Sequence, residues 1–343
     1  MAPRRRPASG PGRGLPAGHR PGRDGLAGAS PMRLVAGDIG GTWSRLALVE
    51  GDTSPREARY CNADFPDLYQ VLGRFLESQG TSGDKIDVMV LALPGPVDGD
   101  RVALTNIDWV VQRDELTRCC RRAQVRLVND FQAAALGALK ADGGRWLNPH
   151  ADPPVANCPA VVTGAGTGLG LAWFADPERE TLPHATEGGH SDFAPMDMQQ
   201  QALWEWLHER HGHVSWERVL SGPGLGEVHA HLSGAERPLA AARVQALADA
   251  GDTLARRAIE LFVRVYGNWV GNLALLFRPG GGIHLCGGVT AHLADWFGTD
   301  FLDAYLARGR MRQVAEQIPL RLVDRGDVGL AGAILIARSM ATK

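Results

Sequence analysis

The stretch L-V-A-G-D-I-G-G-T-W-S-R-L-A-L-V, from Leu34 to Val49, decides how the chain folds. It reads as strand, glycine turn, strand. Gly40 and Gly41 let the backbone take φ > 0 and come close to a ligand. Successive free N–H groups in such a turn make a concave anion site. Asp38 and Thr42 flank the glycines. A carboxylate beside an anion site suits a divalent cation that bridges the two, as Mg²⁺ does with nucleotide phosphates. The alternative is a plain hairpin with Asp38 as a turn residue.

A second unit of the same kind follows at Ala160–Phe174, A-V-V-T-G-A-G-T-G-L-G-L-A-W-F. Here Gly164, Ala165, Gly166, Thr167 and Gly168 lie between two apolar runs. A third glycine pair, Gly287 and Gly288, ends the apolar strand of G-I-H-L-C-G-G-V. A Walker loop is excluded, because Lys85, Lys140 and Lys343 are the only lysines and none follows a glycine. The G-x-G-x-x-G spacing is excluded too, since Leu169 stands at the sixth position counted from Gly164.

The 343 residues suit two domains, and 44% hydrophobic content suits a globular protein. A net charge of -2 argues against a nucleic-acid partner. No apolar run reaches the ~18 residues of a membrane span. Cys61, Cys119, Cys120, Cys158 and Cys286 show no C-x-x-C spacing, which predicts reduced thiols in a cytoplasmic protein and no structural zinc. Residues 1–31 are rich in Pro, Gly, Ala and Arg and carry about +5, leaving about -7 on the rest. They read as a disordered basic extension, either upstream of the true start or from a misassigned one, with Met32 just before the first strand.

Alternating β-branched runs and amphipathic segments predict α/β architecture. Expected strands are Leu34–Ile39, Leu46–Glu50, Val88–Leu93, Arg126–Asn129, Ala160–Thr163, Leu169–Phe174, Ile283–Cys286 and Pro319–Val323. Expected helices are Asp197–His211, Leu254–Phe277 and Leu330–Met340. In the second of these, Ala258, Leu261, Phe262, Val265, Trp269, Leu273 and Leu276 form one buried face. Two strand–turn–strand units about 120 residues apart suggest duplication, with the turns facing across a cleft.

Four stretches place polar groups at strand ends or in turns: Asn106 and Asp108; Asn129 and Asp130; Glu187 and His190; Glu217 and Ser221. Ligands of α/β folds sit beyond strand carboxyl ends, where Asn129 and Asp130 fall. A helix N-cap competes with a catalytic base for that pair. The tract H-E-R-H-G-H, His208–His213, follows no metal-ligand spacing and reads as a solvated helix end, and Cys119-Cys120 as packing. Carboxylates, amides and an imidazole suit a polyhydroxylated neutral ligand. A phosphate-binding cleft beside such a pocket describes a sugar kinase.

The motifs G-D-I-G-G-T, Leu93–Trp109, L-V-N-D-F, G-A-G-T-G-L-G, E-G-G-H-S-D-F-A-P, E-R-V-L-S-G-P-G, G-N-L-A-L and C-G-G-V occur in this order. Over Leu34 to the C-terminus the chain thereby resembles the bacterial glucokinases of the enteric type. The C-x-C-G-x-x-G-C cluster of the ROK family is absent. The resemblance implies a two-lobed actin/hexokinase-like (ribonuclease H-like) ATPase fold with an interdomain cleft. Residues 32–140 would form the small lobe and 141–329 the large one, with 330–343 a helix returning to the small lobe. It implies that Asp130 is the general base toward the sugar 6-hydroxyl. It implies that Asn106, Asn129, Glu187, His190 and Glu217 bind sugar hydroxyls. Asp38, Gly40, Gly41, Thr42 and Gly164–Gly168 would hold phosphates, with Gly287 and Gly288 near the adenosine. MgATP would be a co-substrate, its metal contacting Asp38, with glucose as acceptor, no tightly bound cofactor and a homodimer as the candidate assembly. The alternatives are a kinase for another hexose or amino sugar, or a weakly catalytic glucose-binding regulator. Two departures are Trp43, where Asn is common after G-G-T, and Ile107, where T-N-H is common. An indole beside the phosphate turn bears on nucleotide affinity or lobe closure.

Overall fold

The structure, a computed structural model, describes residues 31–97, 99–105 and 107–342. The expectations for residues 1–31, Pro31 apart, and for Asn106 therefore lie outside the described residues. All that follows concerns the unit Met32–Lys343.

Strands β1 (Arg33–Ile39), β2 (Trp43–Glu50), β3 (Arg56–Cys61) and β4 (Val88–Leu93) are followed by a small hairpin, β5 (Arg101–Ala103) with β6 (Val110–Gln112), and then by β7 (Gln124–Asn129). One five-stranded sheet has the order β3-β2-β1-β4-β7. The second contains β8 (Arg145–Trp146), β9 (Ala160–Ala165), β10 (Leu169–Phe174), β11 (His184–Thr186), β12 (Ile283–Cys286) and β13 (Leu320–Leu322). Its order is β11-β10-β9-β12-β13-β8. The two sheets repeat one plan. An antiparallel hairpin, β1–β2 or β9–β10, is extended on the far side of its first strand by two parallel strands, β4 and β7 or β12 and β13. Parallel strands covered on both faces require continuous apolar runs. Accordingly every residue of β4 and of β9 is buried.

Two helices lie between the sheets. The first, Asp130–Lys140, leaves β7 directly; the second is the C-terminal helix, Val328–Ala341. Ala133, Leu136, Leu330 and Ala337 share one apolar cluster with Leu34 and Val90 of the first sheet and Val162 and Phe174 of the second. The opposite face of the first sheet is closed by helix Leu68–Ser78, through Leu68, Val71, Leu72 and Phe75. The opposite face of the second packs on the long helix Thr253–Phe277.

Several expectations shift. β2 starts at Trp43 rather than Leu46, and β7 at Gln124 rather than Arg126. Asp197 is the N-cap of helix Met198–His211, its carboxylate accepting from the Gln200 N–H, rather than its first residue. Leu276 leaves the buried face: it is 75% exposed, because the face continues from Leu273 to Phe277, four residues on, which packs against the core and Trp173. Trp43 is engaged on the side of β3. As the first residue of β2 it pairs with Cys61 of β3 and carries the Arg59 guanidinium 3.9 Å above its ring. Ile107 packs half-buried against the core of the first sheet. The histidine tract splits three ways: His208 stacks on Trp204, His211 lies 3.3 Å from Glu227, and His213 lies 2.8 Å from Asp192.

Candidate active site

The first glycine turn joins β1 to β2. Gly40 closes it by donating its N–H to the Trp43 carbonyl at 2.9 Å. The N–H groups of Gly41 and Thr42 donate to no acceptor among the described residues. Asp38, one residue before the end of β1, lies against the first turn of the C-terminal helix. A Cβ built on Gly329 would stand 2.6 Å from its carboxylate. Burial raises the Asp38 pKa, and the nearby Arg45 guanidinium opposes that rise. Arg45 is itself held by the Gly326 carbonyl.

Asp130 is the first residue of the helix that follows β7. Asn129 before it is the N-cap. Its Oδ1 accepts from the Phe131 and Gln132 N–H groups at 3.0 and 3.2 Å, and the Gln132 side chain answers at the Asn129 N–H, 3.3 Å away, completing a capping box. Asn129 Nδ2 donates to the Gly95 carbonyl at 3.0 Å, which leaves one hydrogen of that amide for a ligand. The competition between cap and base thus divides between neighbours. Asn129 caps, and Asp130 has one carboxylate oxygen on the Phe131 N–H at 2.7 Å. The Asp130 pKa is pushed up to about 6. Burial is the main cause; the Phe131 N–H opposes it, and the charges of Asp38 and Glu187 add to it. The Asp130 carboxyl thus feels Asp38 from one side of the site and Glu187 from the other sheet.

From Glu187 the line continues. His190 Nε2 lies 3.9 Å from a Glu187 oxygen and 3.9 Å from a Glu217 oxygen. Glu187 and His190 bracket a single 3₁₀ turn after β11, and both are exposed. Glu217 sits in the short helix Trp216–Val219, capped by Ser215. Its second oxygen accepts from the Leu169 N–H at 2.9 Å. That oxygen lies 2.5 Å from where a Cβ on Gly168 would be. Glu217 is thus tied to the second glycine turn, where Gly166 donates to Gly168 at 2.8 Å and accepts from Gly222 at 2.8 Å. The N–H groups of Thr167 and Gly168 have no acceptor among the described residues. Gly287, at φ 100°, abuts Ala165: a Cβ there would meet the Ala165 carbonyl at 2.5 Å. Gly288 beside it faces open space. Charge effects and contacts thus link Asp38, Asp130, Glu187, His190 and Glu217 in turn, and Glu217 to the second glycine turn.

One contributor has no sequence signal. Asn62, 2% exposed, donates from Nδ2 to the Gly40 and Gly41 carbonyls at 2.7 and 3.2 Å. It stands in C-N-A-D, just past β3, where neither periodicity nor a motif marks it. Among the described residues no group of three or more His, Cys, Asp or Glu is placed to hold a metal ion. Cys61, Cys119, Cys120, Cys158 and Cys286 are free thiols.

Two hairpin-plus-parallel sheets around a shared helical layer, with a glycine turn in each hairpin, are the actin-like ATPase fold of sugar kinases. A family model for glucokinase matches residues 35–340. The chain is 35% identical over 308 residues to the glucokinase of Marinobacter nauticus, covering 87% of this chain and 95% of that protein. It superposes on the crystal structure of a glucokinase from an Antarctic psychrotroph with a TM-score of 0.77 and 26% identity, over 90% of this chain and 99% of that one. A ROK-family glucokinase from Streptomyces griseus, solved with glucose and AMPPNP, shares the fold at a TM-score of 0.60 and 21% identity, over 90% and 99%. The chain belongs to the glucokinase family.

Proposed function

We propose that the chain is an ATP:D-glucose 6-phosphotransferase with Asp130 as general base. The observation that carries this reading is the Asp130 carboxyl, half-buried at a helix start within the influence of Asp38 and Glu187, with its pKa pushed up to about 6. A base poised near neutrality can take the proton of the sugar 6-hydroxyl as its oxygen attacks the γ-phosphorus and ADP departs. Asn129, Glu187, His190 and Glu217 hold the sugar hydroxyls and so align the 6-hydroxyl with the phosphate. Asn106 is proposed for the same role. The free N–H groups of the two turns, 40–42 and 164–168, receive the phosphate oxygens, with Gly287 and Gly288 beside the adenosine. The turns sit on different sheets, which fits a small lobe of 32–140 with 330–343 and a large lobe of 141–329.

Asp38, a carboxylate oxygen donor at the end of β1 beside the first glycine turn, would hold the magnesium that accompanies ATP. Magnesium there would neutralise charge on the transferring phosphoryl group. We place the protein on the enteric rather than the ROK side of its fold, since its sequence lacks the C-x-C-G-x-x-G-C cluster. Among the described residues no helix is long and apolar enough to cross a membrane, and with five free thiols we infer a cytoplasmic protein.

A coupled assay against a hexose panel with MgATP tests the reading. Glucose should exceed 2-deoxyglucose by roughly tenfold or more in kcat/KM, because a missing hydroxyl leaves unsatisfied a partner that the bound sugar covers, at ~1–3 kcal/mol. Glu217→Gln should narrow that advantage. N-acetylglucosamine and N-acetylmannosamine should be poor substrates; equal or better turnover of either would promote an amino-sugar kinase in place of glucose. Binding of glucose with no turnover would promote a regulator. The pH profile has a definite sign. Asp130 acts only when ionised, so kcat/KM should fall as pH drops through about 6 and level off above it. A profile flat from about pH 5 to 8 would contradict the assignment.

A further inference from the structure

The bonds of Asn62 are disposed in an unusual way around the first glycine turn. Its Nδ2 has two hydrogens, and both go to turn carbonyls: Gly40 at 2.7 Å and Gly41 at 3.2 Å. Its backbone N–H takes the third carbonyl, Thr42, at 2.9 Å. Its Oδ1 accepts from the buried Ser44 hydroxyl at 2.7 Å. Reversing this amide would set Oδ1 against two carbonyls, so its direction is determined. A trans peptide is planar, and its C=O and the N–H that follows point opposite ways. Drawing the Gly40 and Gly41 carbonyls toward Asn62 therefore aims the Gly41 and Thr42 N–H groups away from it. Those are the two N–H groups of the turn that find no acceptor among the described residues.

We propose that Asn62 is a positioning residue that sets the polarity of this turn, engaging its three carbonyls from behind so that its two free N–H groups converge on an oxyanion of the nucleotide. Asn62 lies behind the turn, on the side its carbonyls face. Ser44 is the second member of the device, because its hydroxyl donates to Oδ1 and so anchors the amide behind the turn. Two glycines leave the turn able to flip its peptide planes at little steric cost. A turn so flipped would present carbonyl oxygens to a phosphate and repel it. Asn62 removes that alternative. The inference rests on the reading of residues 38–42 as a phosphate site.

The experiment compares wild type, Asn62→Asp, Ser44→Ala and Gly41→Val. Calorimetry measures MgAMPPNP affinity without sugar and glucose affinity without nucleotide, and a thermal melt confirms folding. Asn62→Asp keeps the shape and replaces the donor by an acceptor. It should weaken MgAMPPNP at least tenfold and leave glucose within twofold. Ser44→Ala should weaken MgAMPPNP several-fold and leave glucose unchanged. MgAMPPNP affinity within twofold of wild type in folded Asn62→Asp overturns the proposal. So does an equal loss of glucose affinity, which would mean general damage. If Asn62→Asp does not fold, folded Ser44→Ala decides by the same criteria. Gly41→Val separates the two layers of the argument. Nucleotide affinity that ignores Gly41→Val sinks the phosphate site itself, and Asn62 with it. Affinity that responds to Gly41→Val but not to Asn62→Asp or Ser44→Ala sinks the role of Asn62 alone.

Discussion

Asp130→Asn is expected to lower kcat by at least ~10² while glucose affinity weakens only modestly and the protein melts at a higher temperature. The loss of rate follows because an amide cannot accept the 6-hydroxyl proton. The gain in stability follows from the raised pKa. A half-buried carboxyl whose native pKa is about 6, against an ordinary 3.8, binds its proton more tightly in the native state than in the unfolded chain. Stability is then lost as pH rises from the lower value through the higher one. The amide that replaces the carboxyl is neutral at every pH, and its oxygen can still accept the Phe131 N–H. The Tm advantage of the variant should therefore be full above about pH 7 and vanish below about pH 4. Coupled-assay kinetics, with melts on either side of that window, check both halves. Near-normal turnover would remove Asp130 as base, and a lower Tm at the alkaline end would show that its charge is well solvated.

Gly137→Val should cost ~3 kcal/mol or more, an overpacking penalty, and lower Tm by on the order of 10 °C. Gly137 is in the helix that begins at Asp130, where that helix crosses the C-terminal one. A Cβ on it would stand 1.9 Å from the Val328 carbonyl and 2.9 Å from the Gly332 nitrogen. The contact is reciprocal: a Cβ on Gly332 would stand 1.8 Å from the Ala133 carbonyl. Both obstacles are backbone, so no side chain can swing aside and the helices must separate. Separation would shift Asp130 at the start of one helix and the Gly329 turn that supports Asp38 in the other. Activity should fall with stability. A melt and a kcat measurement on one preparation suffice, and an unchanged Tm would mean that the helices have room to part at little cost.

The strands that the sequence showed best are those buried on both faces. β4 and β9 are continuous apolar runs, and their expected positions agree with the structure to within two residues. β3, R-E-A-R-Y-C, was illegible because it is an edge strand with no fully buried residue. The Asp130–Lys140 helix was illegible for the opposite reason. D-F-Q-A-A-A-L-G-A-L-K is apolar on several sides because both sheets press on it, so no amphipathic stripe develops. Leu276 stands three residues after Leu273 and was expected in the core, but Phe277, four residues after Leu273, takes that place, and spacings of three and four are equally helical.

By itself the sequence determined the two strand–glycine turn–strand units, the α/β class and the candidate residues Asp38, Asp130, Glu187, His190 and Glu217. These rest on local properties: backbone freedom at glycine, β-branched runs, and polar groups at strand ends. Tertiary structure alone decided that residues scattered from 38 to 217 form one line, that Asn129 caps while Asp130 is raised to about 6, and that Asn62 holds the first turn. It alone brought Gly137 against Val328. Desolvation, charge–charge coupling and steric contact depend on distance in space and on exclusion of water, and neither can be read from separation along the chain.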